Sequence, residues 1–314
     1  MSATTHVLAA PAATTSTEEH TDWLELSALV SPRRSASTED LIGALRATGS
    51  TDALPEERQV DRGSEQAQAL AESAMSLAEE RAGSCRRRQN YPYRFAGQSL
   101  VARPSAIRST YAYLLLLSKY GENAGPPAVP GASLFEDVAA EAARQYLGGD
   151  ATGAKAYNFG FPRRLAPRGF GPALDQLCGA MGEGGGAKSK PSQAKQKDAK
   201  LDLVAWVPMP DARAGKVIGF GQCATGRNWK EKVSELQSGP WCRLWLIEQP
   251  PVTPLRLFFL PHRIAGSDWD DHSHNAGIMF DRCRLAAYAG SLPTNLRTRA
   301  TAWTEYVLHD RLCR

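Results

Sequence analysis

The sequence predicts an α/β fold: a mixed β-sheet core flanked by helices and preceded by a mostly helical N-terminal region. Three observations carry this reading. Short apolar runs bounded by Pro and Gly recur between residues 155 and 285, where strands are expected. Amphipathic segments with helical spacing lie on either side of them. From residue 133 onward the order helix, strand, strand, strand, helix, strand is the alternation that lays helices on a sheet.

A chain of 314 residues can bury a substantial core as one large or two modest domains. The longest apolar run, 111–117, is far shorter than the roughly 20 residues of a membrane span. The N-terminus has neither the basic start nor the apolar core of a signal peptide, so a cytoplasmic protein with no membrane attachment is expected. Six cysteines (85, 178, 223, 242, 283 and 313) include no CxxC pair, which argues for reduced thiols over a disulfide framework or a zinc module. The net charge of +4 excludes a histone-like polycation. Residues 151–200 nevertheless hold nine Lys or Arg against Asp175, Glu183 and Asp198, a local +6 that would draw polyanions or simply solvate a linker.

Taken in order, residues 1–20 are rich in Ala, Thr and Ser and read as a disordered leader. Residues 21–125 read as a helical region, with helices at 38–47, 64–82 and 105–120, the last ending at Gly121. The basic segment 85–95 reads as a loop or short strand. Gly and Pro crowd residues 121–132, the candidate boundary before a domain spanning 130–314. Its first helix starts near Ser133, with Glu136 in capping-box position beside a stripe of Phe135, Val138, Ala142 and Tyr146. A strand near 154–161, a helix at 171–181 and a flexible loop at 182–197 follow. Strands are expected at 201–207, 216–223, 241–248, 255–260 and 277–285. Residues 261–277 read as a polar loop and 301–312 as a closing helix.

Three sets of residues could carry chemistry. In the first, Asp202 on one strand and Gln222 at the end of the next converge at a sheet edge, as oxygen ligands for a divalent metal do. Lys232 lies on the inner side of a helix whose stripe is Trp229, Val233 and Leu236, with Lys230 in reserve. Thr225 and Asn228 stand at that helix start as caps or phosphate ligands, and Lys197 and Lys200 lead in. The second set is Asp268, Asp270, Asp271, His272 and His274, where a solvated loop is favoured over a metal site. The third, Cys223 with His262 as a thiol nucleophile, is outweighed by simple packing.

The first set resembles the PD-(D/E)XK nuclease superfamily, and within it the Mrr-like restriction endonucleases. Phe135 and Glu136 match the first-helix motif of that family, Asp198 and Asp202 its acidic strand, and Gln222 and Cys223 its V-Q-C-K strand, over roughly residues 130–290. The resemblance implies a restriction-endonuclease-like core and Mg²⁺-dependent (or Mn²⁺-dependent) cleavage of DNA in restriction or anti-phage defence. Asp202 would bind the metal, Gln222 the metal or the water, and Glu136 would support the site as a further metal residue. It departs where Ala-Lys replaces Gly-Gly in the acidic strand and where Ala224 takes the usual lysine position. Members of the superfamily move that lysine to the following helix, which fits Lys232, and others have lost catalysis. The alternative is therefore an inactive nuclease fold that binds nucleic acid or scaffolds a defence complex. Expected partners are DNA, with RNA as the alternative substrate, defence-system proteins and further copies of the chain. Recognition or partner docking would fall to residues 21–125.

Overall fold

The computed structural model describes residues 8–48, 56–87, 89–163, 167–189 and 196–312. Helix α1 (Thr17–Val30) begins inside the segment expected to be a leader. The Ser16 hydroxyl accepts from the Glu19 amide, and Glu18 and Glu19 in the first turn complement the helix dipole. His20 is fully buried, its Nε2 lying 3.1 Å from both the Ala12 carbonyl and the Thr15 hydroxyl, so residues 12–20 are packed rather than loose. Residues 1–7 lie outside the described residues.

Helices α2 (Thr38–Thr48), α3 (Glu56–Ser84) and α4 (Thr110–Tyr120) follow as expected, and Gly121 terminates α4 at φ 81°. Between them β1 (Ser35–Ser37), β2 (Tyr93–Ala96) and β3 (Ser99–Ala102) form an antiparallel sheet in the order β1-β3-β2. Strands of three or four residues are too short to leave a periodic signal.

The main sheet has the order β4-β5-β6-β7-β8, from β4 (Lys155–Asn158), β5 (Leu203–Trp206), β6 (Ile218–Cys223), β7 (Leu255–Phe259) and β8 (Ile278–Phe280). The first three form an antiparallel meander, and β7 and β8 add in parallel, each after a helical crossover, as parallel pairing requires. Side chains alternate between two cores. Leu203, Ala205, Leu257 and Phe259 pack with α5 (Gly131–Tyr146) and the N-terminal helices, while Val204, Trp206, Ile218 and Phe220 pack with α6 (Phe170–Met181) and α7 (Ser238–Trp245). Gly219 and Gly221 face the first core, where a Cβ would come within 2.6 Å of Leu257 and Leu203 respectively. The first core draws residues from both sides of the 121–132 connector. Trp303 on α10 (Thr294–Leu312) meets Tyr113 of α4 edge-on at 5.2 Å, and its indole lies against Gly125.

Four local expectations are corrected. Residues 241–248 were expected to pair as a strand, but Trp241, Cys242 and Trp245 bury at i, i+1, i+4, which makes them the inner stripe of α7. The polar segment read as a loop is α8 (Gly266–Ala276), with Ala276 buried against the sheet. The last expected strand divides into β8 and α9 (Arg282–Tyr288) because the Asp281 carboxylate accepts from the Arg284 amide and caps the helix. Helix α5 starts two residues before Ser133, behind Pro130, so Ser133 and Glu136 form no capping box. No helix among the described residues is long and apolar enough to cross a membrane.

Candidate active site

The end of the β5–β6 ladder is built around Asp202. It stands one residue beyond the Leu203–Gly221 pair and therefore opposite Gln222. Its backbone is fixed on both sides: its amide donates to the Gly221 carbonyl at 2.9 Å, and its carbonyl accepts from Phe159 and Gly160 at 2.7 and 2.8 Å. The chain reaches it through Ala199 and Lys200, non-glycine residues at φ 54° and 70°. The Asp198 carboxylate accepts from the Lys200 amide at 3.0 Å and stabilises that turn. Backbone held in this region costs of the order of 1 kcal/mol per residue and concentrates at functional sites.

The Asp202 side chain is half-buried, and its Oδ2 accepts from the Cys223 amide at 2.7 Å. Burial pushes the carboxyl up to about 7; the Cys223 hydrogen bond opposes this, the Asp198 charge adds to it, and the Lys232 and Lys200 charges work against it. Gln222 is 4% exposed. Its Nε2 donates to Glu235 Oε2 at 2.8 Å, whereas its Oε1 is buried without a hydrogen-bond partner. Glu235 also receives the Lys200 ammonium at 3.2 Å. Glu136 approaches from α5 and lies against Gly160, where a Cβ would come 3.0–3.1 Å from its carboxylate. Asp202 and Glu136 both act electrostatically on Cys223, so both carboxylates lie near that residue.

Four of the expected residues thus gather at one sheet end: Asp202, Gln222, Glu136 and, through its field on Asp202, half-buried Lys232. The others are differently placed. Lys230 pairs with Asp268 of α8 at 2.9 Å. Lys200 is held by Glu235, and exposed Lys197 lies 5.5 Å over the Phe161 ring. The Thr225 hydroxyl donates to Glu122 rather than capping a helix, and Asn228 is exposed. The α-helix expected after β6 is a six-residue 3₁₀ turn, Arg227–Lys232, preceded by Gly226 with no side-chain cap. Trp229 and Val233 enter a small core with Phe258 and Met279 while Leu236 enters another, and this split takes the place of one continuous stripe. A turn this short provides no dipole-based phosphate seat. Of the basic residues in 151–200, Arg163 works internally. Its guanidinium donates to the carbonyls of Arg168 and Lys197 at 3.0 and 2.6 Å and sits 4.5 Å over Phe159.

The other two sets carry less. His272 packs edge-on against Trp229, and no group of three or more His, Cys, Asp or Glu among the described residues is arranged to hold a metal. His262 Nε2 lies 3.2 Å from the Thr225 carbonyl. Burial, with the Asp202 and Glu136 charges, raises the Cys223 thiol well above its ordinary range, opposite to the activation a nucleophilic thiolate needs. A polar cavity of about 420 Å³, lined in part by Arg86, Arg144 and Tyr288, includes none of the cluster around Asp202.

The donor set suits a hard cation. Mg²⁺ is commonly held by one or two carboxylates, with water and substrate phosphate completing its shell, so three protein carboxylates are unnecessary. Asp202 provides a carboxylate, and Gln222 provides an amide oxygen already stripped of water and unsatisfied. Glu235 is the residue sequence reasoning missed. Its only signal was its position three residues beyond Lys232, on a segment read as a helix. Compared with protein-family models, with curated proteins and with solved structures, the chain finds no match in any of the three.

Proposed function

We propose that the chain is a metal-dependent phosphodiester hydrolase acting on DNA, with a core of the restriction-endonuclease-like type, in restriction or anti-phage defence. The observation that carries this reading is that Asp202, its carboxyl pushed up by burial, stands opposite Gln222 with its buried, unpartnered oxygen, at one end of an antiparallel meander extended by two parallel strands. Phosphodiester hydrolysis needs such oxygen ligands beside a cation.

In this mechanism Asp202 and Gln222 would hold a divalent cation, which would supply Lewis acidity and lower the pKa of an attacking water. To hold the cation, the Asp202 carboxyl would have to be ionised. Glu136 and Asp198 keep the surroundings acidic, and Lys232 brings positive charge to where the phosphorane oxygens gain negative charge. Plasmid, linear DNA and RNA incubated with Mg²⁺, Mn²⁺ or EDTA test the reading. The expected result is DNA nicking that EDTA and Asp202→Asn both abolish. Nicking that survives both would sink it, and cleavage confined to RNA would move the substrate.

A second reading has its own observation. Ala224, where the resemblance would put lysine, is 1% exposed in an apolar cluster with Trp229 and Phe258. An inactive fold that binds nucleic acid would retain salt-sensitive DNA binding and give no metal-dependent product.

A further inference from the structure

Resting on the metal-site reading above, we infer that Glu235 is a positioning residue that fixes which way round the Gln222 amide sits, leaving Oε1 as the end available to a metal. A glutamine amide has a donor end and an acceptor end, and sterics alone do not choose between them. A carboxylate only accepts. The atom 2.8 Å from Glu235 Oε2 must therefore be Nε2, and Oε1 is forced to the other side, where it is buried without a partner. Leaving a buried acceptor unmatched is costly, so a residue that enforces this orientation opposes local stability. The Lys200 ammonium, 3.2 Å from Glu235 Oε1, steadies the carboxylate. Lys200 is itself held at φ 70° on the turn that delivers Asp202. The two sides of the site are thereby linked: the turn that sets Asp202 also carries the cation that holds the residue orienting Gln222.

The charge and hydrogen-bond pattern can be exchanged. Glu235→Gln removes the discrimination between amide ends, because the new amide can accept from or donate to Gln222. Gln222→Glu alone sets two carboxylates against each other at 2.8 Å. Together, Gln222→Glu and Glu235→Gln rebuild the same hydrogen bond with donor and acceptor reversed, leaving a carboxylate oxygen where Gln222 Oε1 lies in the wild type.

The test is Mn²⁺ binding by calorimetry and by the electron paramagnetic resonance signal of free Mn²⁺, on the full chain without nucleic acid. Each single variant is expected to weaken binding about 10- to 100-fold, as outer-shell changes do, and the double variant to restore it. Circular dichroism and thermal unfolding separate binding loss from misfolding, and recovery in the double variant cannot arise from damage. Wild-type affinity in Glu235→Gln, or a double variant no better than the singles, overturns the positioning role while leaving the metal site intact. Wild-type protein that binds no Mn²⁺, or binds it equally after Asp202→Asn, overturns the metal reading and this inference together.

Discussion

Two acidic clusters lie in this molecule, and they are treated in opposite ways. Beneath α1, Asp22 and Glu25 meet Arg81 and Arg282. All four carboxylate oxygens are satisfied: Asp22 by both arginines, Glu25 Oε2 by Arg81, and Glu25 Oε1 by the Tyr91 and Tyr111 hydroxyls at 2.9 and 2.8 Å. Burial alone would push the Asp22 carboxyl up, but the Arg282 and Arg81 charges outweigh it and hold it well below the usual range. At the β5–β6 end, burial wins: Asp202 rises to about 7 and the Gln222 oxygen stays unmatched. Burial is common to both, so burial does not mark function. The difference lies in compensation. The cluster with matched carboxylates ties α1 and α3 to α9, with Arg81 Nε left without a partner, whereas on the proposed reading the unmatched one awaits a cation.

Breaking the matched cluster should have the largest effect on stability. Arg81→Met removes a fully buried guanidinium and leaves Glu25 with Arg282 at 3.7 Å as its remaining cation. A loss of about 3–5 kcal/mol is expected by urea unfolding, since an orphaned buried charge is costly. A loss below about 1 kcal/mol would show that the network is not matched in the way its hydrogen bonds suggest.

Asp202→Asn should act in the opposite direction. In the folded chain Asp202 titrates near 7, against 3.8 for the ordinary carboxyl. Between those values the folded state binds a proton that the unfolded state does not, so the contribution of Asp202 is fully present below pH 4 and is lost as pH rises through 7. Metal-free wild-type protein should therefore lose stability between about pH 4 and 7, by about 1.4 kcal/mol per pH unit at most, and level off above that. Asn retains the acceptor for the Cys223 amide and should flatten that slope, raising stability at pH 8 by about 1–3 kcal/mol while abolishing Mn²⁺ binding. Identical pH profiles for the two proteins would remove the evidence that Asp202 is held out of its preferred state.

Much of this contrast was legible in the sequence and some was not. Asp202 and Gln222 could be placed because strands bounded by Pro and Gly fix which residues reach a strand end, and Glu136 through the resemblance of its helix. The helical region showed its helices through the 3.6-residue period but gave no sign of its ionic network, because Asp22 and Arg282 are 260 positions apart and only packing brings them together. The α7 error came from aromatic residues, which favour strands by composition while their spacing was helical. Glu235 was invisible because its role depends on the Gln222 side-chain orientation, a feature finer than any periodicity.

The smallest change that separates the two regions is a single methyl group. Gly160 needs no left-handed conformation, but a Cβ there would lie 3.0–3.1 Å from the Glu136 carboxylate. That is close enough to displace a flexible side chain by a few tenths of an ångström without disturbing backbone. Gly160→Ala should therefore change unfolding free energy by less than about 1 kcal/mol, as changes away from tight packing do. If Glu136 supports the site, the same substitution should shift the pH midpoint of metal binding, because a displaced carboxylate alters the field shared with Asp202 at Cys223. Glu136→Gln removes that charge outright, and if the charge reaches Asp202 the midpoint should move to lower pH. Midpoints unchanged in both variants would assign Glu136 to α5 packing alone and leave Asp202, Gln222 and Glu235 as the whole of the site.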